Sequence, residues 1–141
     1  MTDNGRGRNY PKGREINSDD LSFKSYLDEV NNYKPLSRER EGELSSIIQG
    51  YENGSARENA IEELVNANLR FVINVAKEKQ YRNRSVSLID LIAAGNVGLL
   101  TAANRFDGTK GYKFISYAVW WIRQNILYTL AQDGRTVRLP V

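Results

Sequence analysis

The chain has 141 residues, 40% hydrophobic and 26% charged, with a formal net charge of +3 and neither cysteine nor histidine. That length holds one domain with a real core, and the missing residue types exclude disulfides, cysteine nucleophiles, the usual zinc ligands and histidine-based proton transfer. No stretch approaches the roughly 20 consecutive apolar residues of a membrane span, and no apolar run follows the polar N-terminus as in a signal peptide.

In chain order, residues 1–20 are rich in Gly, Asn, Asp and Arg with almost no apolar residues. They cannot bury enough surface to offset ordering entropy, so a flexible tail is expected. Its Gly5-Arg6-Gly7-Arg8 stretch could brush nucleic acid, although a solvated tail is the simpler reading. Phe23, Tyr26, Leu27 and Val30 then fall at helical spacing, closed by Asn31, Asn32 and Pro35. Ser37 can cap a second helix with Leu44, Ile47 and Ile48 on one side and Gly50 near its end. Ser55-Ala-Arg-Glu58 has the capping-box pattern and opens a long helix carrying Ile61, Leu64, Val65, Leu69, Val72, Ile73 and Ala76. Ser87-Leu-Ile-Asp90 repeats the pattern before a helix with Leu88, Leu91, Ile92, Val97, Leu99 and Leu100. Gly108 and Gly111 mark a turn, and a last helix is expected from about Phe114 to Gln132, stopped by Asp133-Gly134. Only Thr136–Leu139 alternates like a strand. The fold class read from this pattern is all-α, a compact bundle of about five helices.

The last helix carries the functional signal. At about 100° per residue, Ile115, Ala118, Val119, Ile122, Ile126 and Leu130 form one aliphatic stripe suited to the core. Tyr117, Trp120, Trp121, Gln124 and Tyr128 lie on the other side, near Lys110, Lys113 and Arg123. Aromatic rings among cations suit stacking on unpaired nucleobases. The competing reading is a helix buried on every side, with both tryptophans in the core. Charge is also uneven. Acids dominate between Ser37 and Leu64, whereas Arg105, Lys110, Lys113, Arg123, Arg135 and Arg138 outweigh Asp107 and Asp133 after them. A polyanion partner and ordinary surface variation both fit that split.

As a string, Gly111-Tyr-Lys-Phe-Ile-Ser-Tyr-Ala-Val-Trp-Trp-Ile-Arg-Gln124 resembles the hallmark stretch of the primary (housekeeping-type) bacterial RNA polymerase sigma factors. Ala67-Asn-Leu-Arg-Phe-Val72 is similar to the start of that family's second region, and Asp90-Leu-Ile-Ala-Ala-Gly-Asn-Val-Gly-Leu99 to its polymerase-binding helix. Arg135-Thr-Val-Arg-Leu-Pro-Val141 resembles the approach to its third domain. After the tail over 1–20, the resemblance implies a helical region preceding domain two over 21–54, domain two over 55–134, and the start of a linker over 135–141. Either a piece of a longer sigma factor or a short sigma-like protein fits that extent.

The resemblance also implies residue roles. A pocket for the adenine flipped from the non-template strand of the minus-ten promoter element matches Phe106, Asp107, Lys110, Tyr112, Ser116, Tyr117 and Trp120. A wedge and duplex contact at the upstream edge of the bubble matches Lys113, Trp120, Trp121, Gln124, Leu127 and Arg135. A pocket for a downstream flipped base draws on Asn68, Leu69, Arg70 and Phe71. Asp90, Ala93, Ala94, Asn96 and Leu100 match the face that docks on the clamp helices of the polymerase's largest subunit. Lys110 replaces a family arginine and loses its planar fork. Leu127 replaces a threonine and can meet a thymine methyl but donate nothing. Ala93 and Ala94 stand where Gln and Glu are common. The expected partners are core RNA polymerase and promoter DNA, in the cytoplasm near the nucleoid, with no cofactor, metal, membrane or small-molecule substrate. An enzyme is not expected, because the carboxylates are scattered over helix surfaces and helix starts. The rival is a sigma-like protein that docks on polymerase and regulates it without melting DNA. It would have no use for Tyr117, Trp120 and Gln124.

Overall fold

The structure, a computed structural model, describes residues 18–50, 54–82 and 85–138, with side chains between 21 and 132. Six α-helices follow one another: α1 (Ser18–Val30), α2 (Arg38–Gln49), α3 (Ser55–Asn66), α4 (Leu69–Ala76), α5 (Leu88–Arg105) and α6 (Phe114–Arg138). Short 3-10 turns at Lys79–Tyr81 and Gly108–Lys110 precede α5 and α6. Among the described residues there is no strand, and no helix is long and apolar enough to cross a membrane.

The all-α expectation holds, with local corrections. The long helix expected from Ser55 is two helices, which raises the count from about five to six. The break falls at Ala67-Asn68. Asn68 leaves helical geometry (φ −116°, ψ 9°), and its buried side-chain amide donates to the Leu64 carbonyl at 2.8 Å. That bond satisfies an orphan carbonyl at the end of α3 and frees α4 to take its own direction. Ser55 is not a cap. Gly54, at φ +96°, holds the N-cap position without a side-chain bond, a conformation that suits glycine alone among common residues. Ser37 and Ser87 do cap, their hydroxyls accepting from the N–H of Arg40 (3.0 Å) and of Asp90 (3.1 Å). Asp133-Gly134 does not stop the last helix, which runs on to Arg138 and takes in most of the strand-like 136–139 run. Glycine costs a helix interior only about 1 kcal/mol relative to alanine, too little to end a helix by itself. Of the expected tail, residues 18–20 belong to α1, and the remainder lies outside the described residues.

The core is aliphatic and lies where α3, α4, α5 and α6 meet: Leu64, Val72, Ile73, Leu91, Leu99, Ala102, Ala118, Ile122 and Ile126 are all buried. Helices α5 and α6 share the most extensive interface. Glycine makes that closeness possible. A Cβ at Gly98 would sit 2.4 Å from the Trp121 carbonyl oxygen, and one at Gly95 would sit 2.7 Å from Val72 Cγ1. With α5 backbone against α6 backbone at Gly98, the outer sides of the two helices are fixed relative to each other.

Candidate nucleic-acid interface

The chain between α5 and α6 builds the first part of the site. Phe106 ends α5 and Phe114 opens α6; both rings are buried and meet edge-on at 5.1 Å. Between them, Asp107 caps the 3-10 turn, its Oδ1 accepting from the Thr109 N–H at 2.9 Å and the Thr109 hydroxyl at 2.6 Å. The hydroxyl bond first, the amide bond second, and the nearby Lys110 charge least hold the Asp107 carboxyl below the ordinary carboxylate range. Gly111, at φ +88°, then turns the chain into α6.

On this base lies a belt of aromatic rings. Tyr112 and Tyr117 are nearly parallel, 17° between planes with centroids 6.3 Å apart, and both lie about 6 Å from Phe106 (6.1 and 5.9 Å). Tyr117 meets Trp121 at 6.4 Å, and Trp121 stands perpendicular to Trp120 at 5.0 Å. The Arg105 guanidinium lies 5.1 Å from the centre of the Trp121 ring. Lys110, Lys113 and Ser116 are exposed beside the belt.

The reading of α6 as buried on every side fails. Trp120 is 57% exposed and Tyr128 65% exposed, with Gln124 and Leu127 also exposed. At spacings of three and four residues these side chains form one outward strip. The two tryptophans differ, however. Trp121 is half-buried within the belt, and its indole N–H is enclosed without a hydrogen-bond partner. Ile115, expected in the core stripe, reaches the surface instead. Phe106 lies under the belt as its anchor, leaving Tyr112 and Trp120 exposed and Tyr117 half-buried between them. The Arg135 backbone is helical, and its side chain lies outside the described residues.

The residues assigned to a downstream base sit on and before α4. Asn68 is buried and bonded to Leu64, Leu69 and Phe71 are half-buried, and exposed Arg70 donates to Asn31 Oδ1 at 2.7 and 3.2 Å. The polymerase-docking set lies along α5. Asp90, Ala93 and Leu100 are exposed, whereas Ala94 and Asn96 are half-buried, and the Asn96 amide donates to the Tyr26 hydroxyl at 3.1 Å. Ile89 and Val97, not singled out for docking from sequence, join them; Val97 is 56% exposed. Positions 89, 93, 97 and 100 are a second apolar stripe at helical spacing, a signal the sequence did contain. Sequence reasoning placed α2 but missed its part in the site. Glu41, Ser45 and Gln49 reach the segment between α5 and α6 from that helix, and buried polar residues beside Leu44 and Ile48 were the available clue.

The family model described as Sigma-70 region 2 matches residues 64–136, which run from the end of α3 almost to the end of α6. The chain belongs to the sigma-70 region 2 family. It is 44% identical over 123 residues to the RNA polymerase sigma factor SigA of Lactococcus lactis subsp. cremoris, covering 86% of this chain and 32% of the relative. The same identity over 123 residues links it to SigA of Lactococcus lactis subsp. lactis (strain IL1403), over 86% of this chain and 31% of that protein. The chain therefore spans about a third of the length of these relatives (32% and 31%).

Proposed function

We propose that this chain is the promoter-recognition part of a bacterial sigma factor, which docks on core RNA polymerase and captures the melted minus-ten element for transcription initiation. The observation that carries this reading is the aromatic belt that runs from Tyr112, just before α6, through Tyr117 and Trp121 to Trp120 on a helix whose core face is already filled. Buried duplex bases offer no ring faces, so such a surface has most to gain from bases already out of the stack.

The physical mechanism is binding-driven melting. Unstacking a base costs a few kcal/mol, and each base restacked on an aromatic ring returns roughly 1–3 kcal/mol. Lys110, Lys113 and Arg105 add attraction to the phosphates, so affinity should fall as salt rises. Within the belt, Tyr112 and Tyr117 with Lys110, Asp107 and Ser116 receive the flipped adenine, while Trp120 covers the end of the remaining duplex. Gln124 and Leu127 meet the last paired positions upstream, and the group from Asn68 to Phe71 receives the downstream base. The exposed apolar stripe of α5, flanked by Asp90, is the face offered to the clamp helices of polymerase. The task is binding rather than catalysis, and its setting is the bacterial cytoplasm.

The test is fluorescence polarisation of a labelled single-stranded minus-ten oligonucleotide with the chain on core RNA polymerase, beside a strand lacking only the flipped adenine. Selective binding of the intact strand is expected. Equal binding of both strands, with the chain still attached to polymerase, would favour a docking-only regulator.

A further inference from the structure

Helix α2 carries none of the side chains assigned above to strand capture, yet it holds both ends of the loop that does. Ser45, 4% exposed, donates its hydroxyl proton to the Phe106 carbonyl at 2.9 Å and accepts the Gly108 N–H at 2.9 Å. Gln49 donates to the carbonyls of Asn104 (2.9 Å) and Phe106 (3.2 Å). At the far end of the loop, Glu41, 5% exposed, accepts the Phe114 N–H at 3.1 Å, and Arg38 donates to the Gly111 carbonyl. The backbones themselves touch: a Cβ built on Gly108 would lie 3.0 Å from Gly42 Cα.

These bonds answer a local need that the loop cannot meet alone. The Phe114 N–H is one of the donors a helix N-terminus leaves unpaired, and a carboxylate placed there also complements the helix dipole. The Phe106 carbonyl and Gly108 N–H flank Asp107, so one hydroxyl fixes the exit from α5 and the start of the turn together. Lys110 and Tyr112 sit between the two anchored ends. Their positions are thus set from outside the loop, by partners 55 to 73 residues earlier in the chain.

We infer that Glu41, Ser45 and Gln49 are positioning residues for strand capture. They hold residues 106–113 in the shape that presents Tyr112 and Tyr117 to an unstacked base, and Glu41 and Ser45 do so without reaching the DNA. This rests on the function proposed above. Its physical content is preorganisation: a loop ordered before binding loses less freedom on binding, and the advantage appears in affinity for the captured base rather than in docking.

The experiment uses the full chain on core RNA polymerase and the two strands already described, intact and lacking the flipped adenine. Ser45→Ala, Glu41→Ala and Gln49→Ala are compared with wild type, together with Glu41→Gln, which keeps an acceptor for the Phe114 amide. Ser45→Ala and Glu41→Ala are expected to cut the preference for the intact strand about tenfold, and the exposed Gln49→Ala about threefold, without change in polymerase affinity. Glu41→Gln should retain most of the preference. Hydrogen exchange at the Gly108 and Phe114 amides should quicken in the alanine variants while the α5 and α6 cores stay protected. Gln49 is at the surface, so its variant decides the matter even if a buried substitution unfolds the chain. If wild type discriminates and the folded, docked variants discriminate equally well, the positioning role is overturned and the proposed function survives. If wild type itself shows no preference, the proposed function fails and this inference with it.

Discussion

Helices α5 and α6 lie against each other, and each leaves an apolar strip on its outer side, but the two strips are chemically different. That of α5 is aliphatic: Ile89, Ala93, Val97 and Leu100, with Asp90 at one end. That of α6 is aromatic and polar: Trp120, Gln124, Leu127 and Tyr128, continuing into Tyr117 and Tyr112 among cations. An aliphatic helix face offers ridges and grooves for another helix but nothing for a nucleobase. Rings beside positive charge offer the reverse. Under the function proposed above, the two exposed strips would serve two different partners in a fixed mutual arrangement, with the glycine crossing at Gly95 and Gly98 as the joint.

The comparison can be broken most severely at that joint. Gly98→Ala forces a methyl group against the backbone of Trp121, with 2.4 Å available to the carbonyl oxygen. Such overpacking against backbone should cost about 3 kcal/mol of stability, and both surfaces should lose function together. Urea unfolding beside the two binding assays checks this; a variant with wild-type stability would mean that the helices separate easily.

A reciprocal pair of substitutions sharpens the comparison. Trp120→Ala should weaken strand capture about tenfold or more while leaving polymerase docking intact. Val97→Asp should weaken docking by about tenfold, because a charge then enters an apolar interface. Neither should move the unfolding midpoint much, since both side chains are more than half exposed (57% and 56%). Titrations of each variant against polymerase alone, and of the assembled complex against the strand, separate the effects. Crossed results, with Trp120→Ala impairing docking alone, would reverse the assignment of the two faces.

The smallest expected effect is in acid. Hydrogen bonds from Thr109 lower the Asp107 carboxyl in the folded chain, so its contribution to the turn is present above the ordinary carboxylate range. It is lost as pH falls through the depressed folded value, and nothing should change there between about pH 6 and 8. The chemical shift of the Thr109 amide, followed by NMR through an acid titration, should stay flat and move only at the acidic end. In Asp107→Asn, whose amide oxygen can still accept from Thr109, that acid step should vanish.

Most helices were legible because their cores are built at helical period: Leu44 with Ile48, Leu64 with the buried side of α4, and Ala118 with Ile122 and Ile126. The division between α3 and α4 was not, because it depends on one asparagine bending its side chain back to Leu64, and asparagine is tolerated inside helices elsewhere. Nor was the length of α6, since Gly134 reads as a stop by composition but carries too small a penalty to impose one. For the site, the aromatic side of α6 could be read from spacing, whereas the inward turn of Trp121 depends on its neighbours Tyr117 and Arg105. The hold of α2 on the loop escaped entirely. Its hydrogen bonds join residues 55 to 73 positions apart, and no local pattern encodes such a pairing.

The chain's two tryptophans are neighbours in sequence and perpendicular in space, one turned to solvent and one tucked beneath it. Unlabelled protein therefore carries its own optical gauge at this one place. Emission from the outer indole responds when something covers it, and emission from the inner one responds when the helices around it come apart. Light absorbed by indole, where tyrosine hardly absorbs, thus reads this one place with no dye attached, and replacing Trp120 leaves the inner indole to report on the fold alone.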